Sequence, residues 1–161
     1  MVSDTLFSSD RMDWETPQWL FDLLDDQYHF SLDACATREN AKCWHYYTKE
    51  DNGLKRKWEG VVWVNPPYGR EIGDWVDRAA QQIKYKRVKR IVMLLPCRTD
   101  TKWWHRSVQP VAQFIQFIEG RLRFVGAAGA APFPSVIVVY HRNRRTYPYL
   151  MIGPPISARG K

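Results

Sequence analysis

The sequence predicts a three-layer α/β fold whose sheet is mainly parallel with an antiparallel edge. Three observations predict it. Two apolar runs, Val61–Val64 and Arg90–Leu95, have the length and composition of buried strands. Between them Ile72, Trp75, Val76, Ala79, Ala80 and Ile83 recur at helical spacing, making a strand, helix, strand unit. Beyond them the chain turns to strand-like segments that end at Ser135–His141, which suits an antiparallel edge.

Taken in order, residues 1–13 are polar, carry no periodicity and are expected to be flexible. Thr16 and Pro17 suit the N-cap and first position of a helix carrying Trp19, Leu20, Leu23 and Leu24 up to Asp25-Asp26. Tyr28 to Ala36 reads as a strand, because Phe30 and Leu32 alternate before Asp33-Ala34-Cys35-Ala36. From Thr37 to Gly60 the signals are short: a strand at Cys43–Thr48, a turn at Asp51-Asn52-Gly53, and one or two helical turns through Trp58. That stretch is cramped for two full strand-helix units, so the fold is expected to be compact or truncated there. After the strand at Arg90–Leu95, ended by Pro96, Thr99 or Asp100 is expected to cap a helix through about Val108. Ala112–Val125 reads as a hairpin turning at Glu119-Gly120, and 126–134 as a small-residue loop interrupted by Phe133. A single domain over 14–145 follows, with 146–161 as a tail or edge strand.

Composition narrows the function. Over 161 residues, 45% hydrophobic and 14% aromatic content is too apolar for a disordered chain, and no run approaches membrane-spanning length. The start of the chain shows no basic stretch followed by an apolar core, so a cytoplasmic protein is expected. Twenty-four basic against seventeen acidic residues give a charge of +7, which favours a polyanionic partner. Cys35, Cys43 and Cys97 fall at spacings of no zinc or disulfide pattern, and no metal is expected.

The most informative segment is Asn65-Pro66-Pro67-Tyr68, directly after the apolar run. An amine conjugated to an aromatic ring is a poor nucleophile because its lone pair is delocalised. Acceptors placed at its N–H groups draw that lone pair out of conjugation. The Asn65 side-chain oxygen and the Pro66 carbonyl can each accept one such hydrogen bond, Pro67 withholds a competing donor, and Tyr68 can stack on the ring. The segment resembles the catalytic motif of the S-adenosylmethionine-dependent amino-methyltransferases, which act on adenine N6, cytosine N4 or the glutamine amide.

Further segments sharpen the resemblance. Trp14-Glu15-Thr16-Pro17, Leu32-Asp33-Ala34-Cys35-Ala36, Asp51-Asn52-Gly53-Leu54, the Asn-Pro-Pro-Tyr segment, Pro96–Trp103, Gly120–Phe124 and Ala131–Ser135 occur in this order. Together they resemble the phage Dam-type DNA N6-adenine methyltransferases over about residues 14–141. The resemblance implies a Rossmann-like methyltransferase fold, S-adenosylmethionine as cofactor, and adenine in double-stranded DNA as acceptor, flipped out of a short site such as GATC. By position it implies that Asp33 meets the cofactor ammonium, Thr16 and Pro17 its carboxylate, and Asp51 its adenosine, beside Ala34, Cys35, Ala36 and Asn65. The glycine-rich loop usual after the first strand is here Asp33-Ala34-Cys35-Ala36, so small side chains must leave the room that glycine ordinarily gives. Arg98, Lys102, Arg106, Arg121 and Arg123 are candidate DNA contacts, extended by Arg142, Arg144 and Arg145, and Phe133 is a candidate stacking partner for the flipped base. Two other readings remain open at this point: a non-catalytic DNA-binding module, or transfer to cytosine N4, RNA or a protein glutamine.

Overall fold

In the computed structural model, residues 13–143 and 151–159 are described. One eight-stranded mixed sheet organises them. In chain order the elements are α1 (Gln18–Tyr28), β1 (Leu32–Asp33), β2 (His45–Tyr46), β3 (Gly60–Val64), α2 (Ile72–Gln82), β4 (Val88–Pro96), a π-helical turn (Trp104–Val108), β5 (Phe114–Glu119), β6 (Ser135–His141), β7 (Met151–Ile152) and β8 (Ile156–Ser157). The sheet runs β2-β1-β3-β4-β6-β5-β7, with β8 also on β5. Strands β2, β1, β3 and β4 are mutually parallel, and β6 lies antiparallel between β4 and β5. This is a Rossmann-like methyltransferase arrangement, abbreviated where β1 and β2 are two residues each.

Side-chain alternation assigns the layers. Trp63 turns toward α1, where it meets the Phe21 ring edge-on at 5.7 Å. Tyr140 turns the opposite way and donates its hydroxyl to the Ser107 carbonyl in the π-helical turn, which packs beside α2. Strands β4 and β6 are buried along almost their whole length, as a sheet covered on both faces requires.

Several expectations are corrected by the structure. The strand expected from Tyr28 is shorter: α1 continues to Tyr28, because Leu20, Leu24 and Tyr28 keep one buried face at i, i+4 spacing. His29 then ends the helix at φ 56°, its N–H bonded to the Asp25 carbonyl. At the other end α1 begins at Gln18, with Pro17 in the cap position, and the Thr16 hydroxyl is engaged elsewhere. The segment before Trp58 forms turns without a helix. The helix expected through about Val108 forms over residues 102–108, π-helical from Trp104 to Val108, but Thr101, not Thr99 or Asp100, bonds its first turn, its Oγ1 accepting from the Trp104 amide at 3.4 Å.

The hairpin at Glu119-Gly120 does not form. Residues 121–125 carry buried Leu122 and Phe124 in strand-like alternation. Both sides of β5 are already taken, however, by β6 on one side and by β7 and β8 on the other. Gly120, at φ +84°, therefore releases the chain into a loop. That loop crosses to the segment before α1, where the Val125 amide donates to the Glu15 carbonyl at 3.0 Å. Residues 1–12, including nearly all of the expected flexible start, and Arg144 and Arg145 lie outside the described residues.

Candidate active site

The carboxyl ends of β1, β3 and β4 and the N-terminus of α1 converge, and Asn65 is the first residue past β3. Its Nδ2 donates to the Trp14 carbonyl and, at 3.0 Å, to Thr16 Oγ1. A carbonyl can only accept, so this pair fixes which way the amide faces. Asn65 Oδ1 is left shielded from solvent with no hydrogen-bond partner among the described residues. An orphaned buried acceptor costs roughly 1–3 kcal/mol. Here it stands at the sheet end where α/β folds bind their ligands.

An aromatic cluster lies beside Asn65, joined to it through the Trp14 carbonyl. Tyr68 is buried and donates its hydroxyl to the Leu94 carbonyl at 3.0 Å, and burial holds that phenol well above its ordinary pKa. Its ring meets Phe133 at 5.4 Å and Phe124 at 6.0 Å, both edge-on. Trp14 closes the other side, 5.2 Å from Phe124 and 5.3 Å from Phe133. Trp14 and Phe124 were not singled out as site residues from the sequence. The signal was present, since both lie inside the ordered segments Trp14–Pro17 and Gly120–Phe124.

Asp33, at the end of β1, is 2% exposed. Its Oδ1 accepts from the Cys35 amide at 3.2 Å and its Oδ2 from the Lys42 amide at 3.1 Å. Burial raises its pKa to about 6, against the opposing pull of those two amides and the Lys42 charge. Each carboxylate oxygen retains a second lone pair for a cation. Ala34 is fully buried, its amide donating to the Trp63 carbonyl, and the Ala36 amide donates to the Tyr47 carbonyl. Burial, with the Asp33 charge next, pushes the Cys35 thiol up to about 12, so it stays neutral.

Asp51 and Gly53 lie beside that loop. Asp51 Oδ2 accepts from the Thr48 amide at 2.9 Å and hydroxyl at 3.0 Å, and these bonds lower its pKa. A Cβ on Gly53 would stand 2.2 Å from the Ala34 carbonyl oxygen, so the turn and the β1 loop are in direct backbone contact. The N-terminus of α1, where the Leu20 amide is bonded to the Pro17 carbonyl at 3.1 Å, adds a helix end that favours a carboxylate. An orphan acceptor, a buried carboxylate and a helix N-terminus at one sheet end suit an aminoacyl-bearing cofactor and a ring amine.

The candidate DNA contacts divide. Arg98 and Lys102 follow the carboxyl end of β4, Arg121 and Arg123 follow that of β5, and all four are exposed at the site end of the sheet. Arg106 instead sits on the flank, where its Nε donates to Asp77 of α2 at 3.1 Å.

The profile of the family described as DNA N-6-adenine-methyltransferase (Dam) matches residues 3–148. The chain belongs to that family. A DNA N-6-adenine-methyltransferase of Haemophilus phage HP1 is 30% identical over 128 residues, covering 78% of this chain and 73% of the phage protein. One of Escherichia phage T1 is 37% identical over 105 residues, 63% of this chain and 43% of that protein. Among solved structures, the Type IIL restriction-modification enzyme MmeI in complex with DNA aligns over 85% of this chain and 23% of its own, with a TM-score of 0.48 and 14% identity. This Dam-family chain is thus a DNA N6-adenine methyltransferase. Family membership implies S-adenosylmethionine as methyl donor. Among the described residues no group of three or more His, Cys, Asp or Glu is placed to hold a metal, and no helix is long and apolar enough to cross a membrane.

Proposed function

We propose that Asn65, Pro66, Pro67 and Tyr68 carry methyl transfer to the N6 amine of an adenine flipped out of double-stranded DNA. The observation supporting this reading is the buried, unpartnered Asn65 Oδ1. Because Nδ2 is held by the Trp14 carbonyl and Thr16 Oγ1, the amide cannot rotate without losing both bonds, and Oδ1 stays fixed as an acceptor. An incoming amine donates one N–H to Asn65 Oδ1 and the other to the Pro66 carbonyl, which localises its lone pair on nitrogen, out of conjugation with the ring. S-adenosylmethionine, when bound, supplies an electrophilic methyl group on a sulfonium. Asp33 holds its ammonium, the α1 N-terminus next to Thr16 and Pro17 its carboxylate, and Asp51 its adenosine, with Ala34, Cys35 and Ala36 forming the loop wall. The alkylated nitrogen then sheds its proton without a strong base. Holding the reacting atoms in line is the main task of the chain and is worth up to ~7–11 kcal/mol.

Tyr68 and Phe133 are the proposed stacking faces for the base. Their rings are 5.4 Å apart and inclined by 70°, so a base enters as the Phe133 loop swings away from Tyr68. Extruding the base costs a few kcal/mol. Exposed Arg98, Lys102, Arg121 and Arg123 offset part of this by holding the phosphates, and a short target such as GATC is the site that the family resemblance suggests. The test is incubation with labelled cofactor and defined duplexes, followed by mapping of the modified base. N6-methyladenine confined to duplexes with one short site is expected, and GATC is the first to try. Label in cytosine, RNA or the protein itself would overturn the assignment.

A further inference from the structure

Among the described residues a dense group of positive charge lies away from the candidate active site. Lys84, Lys86, Arg87 and Lys89 lie where α2 returns to β4, at the amino end of the strands. The Gly60 amide donates to the Arg87 carbonyl at 2.8 Å, which brings Lys57 alongside. The Arg142 amide donates to the Lys89 carbonyl at 3.2 Å, which adds a sixth cation from the end of β6. None of these six makes a salt bridge among the described residues, where the ion pairs are Lys42 with Glu15, Arg56 with Asp51 and Arg106 with Asp77. Glu59 is the exposed acid within the cluster, and Asp26 lies nearby at the end of α1.

The cluster is also ordered. Arg87 donates Nε to the Trp58 carbonyl and Nη2 to Gln82 Oε1, both at 3.1 Å. Its guanidinium lies 4.2 Å from the centroid of Tyr85, a ring 49% exposed. An arginine held in place against an exposed aromatic ring, among unpaired lysines, matches the chemistry of a phosphate backbone. The positive field is felt by a neighbour: burial first, then the Arg90 and Arg142 charges, hold the His141 imidazole below its ordinary pKa.

Geometry separates this surface from the catalytic one. At ~3.3 Å per residue, β4 from Val88 to Pro96 places the two ends of the sheet about 26 Å apart. A duplex lying across Arg98, Lys102, Arg121 and Arg123 at the carboxyl ends has the sheet between it and Lys84, Lys86 and Lys89. We infer that the amino-terminal end of the sheet is a second DNA-contacting surface, which holds the phosphate backbone of a duplex segment other than the one being methylated. The choice of DNA as partner rests on the acceptor proposed above, and the surface itself rests on charge and position.

The test compares the wild-type chain with a Lys84→Gln, Lys86→Gln, Lys89→Gln triple variant. These side chains are exposed, so the melting temperature should be unchanged. A short labelled duplex is immobilised with bound protein, and capture of a second, differently labelled duplex is measured. Wild-type protein should capture it, with a steep loss as salt rises. The variant should capture at least tenfold less, with a salt slope shallower by about two to three units. Methylation of a single short duplex should be the same for both. Absence of second-duplex capture by the wild type, or equal capture by the variant, overturns the inference. So does loss of short-duplex methylation in a folded variant, which would place these lysines on the catalytic DNA path. Binding to phosphatidylserine vesicles without duplex capture would reassign the surface to a membrane. If no methylation of any duplex occurs, the proposed function fails, while capture still reads the surface independently.

Discussion

Replacing Asn65 with alanine, beside Thr16→Val, separates catalysis from folding. The substitution deletes Oδ1, the proposed acceptor, and also Nδ2, which donates to the Trp14 carbonyl and Thr16 Oγ1. Removing a fixed hydrogen bond from a reacting centre costs about 10²–10³ in rate, or ~2.7–4 kcal/mol. Losing the two Nδ2 bonds costs about 0.5–1.5 kcal/mol each, but removing the orphaned Oδ1 relieves about 1–3 kcal/mol, so little net change in stability is expected. The two effects are distinguished by Thr16→Val, which removes one partner of Nδ2 and leaves Oδ1 in place. That variant should lose about 1 kcal/mol of stability and less than tenfold in rate. The assay is single-turnover transfer of labelled methyl to a defined duplex, with calorimetric titration of S-adenosylmethionine and thermal unfolding on the same preparations. Asn65→Ala should bind cofactor within several-fold of wild type. A folded Asn65→Ala protein with near wild-type single-turnover rate would refute the role given to the buried oxygen.

Four further outcomes are expected. Asp33 carries a pKa raised to about 6, so a cofactor ammonium should bind more weakly as pH falls through 6, approaching tenfold per unit, and Asp33→Asn should bind at least tenfold more weakly at pH 8 with that dependence gone. Because the folded-state value is raised, the proton is bound more tightly folded than unfolded. The stability of the cofactor-free wild type relative to Asp33→Asn should therefore fall from about pH 4 to about pH 6 and level off above, as thermal unfolding will show. Gly53→Ala places a methyl group 2.2 Å from the Ala34 carbonyl, and should cost roughly 1–3 kcal/mol of stability and weaken cofactor binding as the two loops part. Arg98→Gln should weaken duplex binding and reduce its salt slope by about one unit, whereas Arg106→Gln should change neither, because Asp77 already holds that guanidinium; equal effects in a binding titration would contradict the division of the two arginines.

Local chemistry made much of this protein legible in its sequence. Val61–Val64, the stripe from Ile72 to Ile83 and Arg90–Leu95 are long, periodic and buried, so strand, helix and strand followed from pattern alone. Asn65-Pro66-Pro67-Tyr68 stood out because the proposed reaction needs its acceptors in consecutive positions, independent of the rest of the fold. The errors fell where long-range contacts outweigh local preference. Thr16 has the composition of a helix cap, but its hydroxyl is taken by Asn65, 49 residues away. Leu122 and Phe124 alternate like a strand, but no free strand edge remains beside β5.

Sequence by itself determined the sheet's central strands, the position of Asn65-Pro66-Pro67-Tyr68 past β3, and the net charge. Only the tertiary structure decided how those parts act together. It turned the Asn65 amide by offering a carbonyl from Trp14, leaving one buried oxygen without a partner. It closed Trp14, Tyr68, Phe124 and Phe133 into one cluster from four separated segments. It also set exposed cations at both ends of the sheet, Arg98 and Lys102 at one and Lys84 and Lys86 at the other. The physical reason is that composition adds along the chain, whereas hydrogen-bond direction, ring contact and electric field depend on which distant residues the fold brings within a few ångströms.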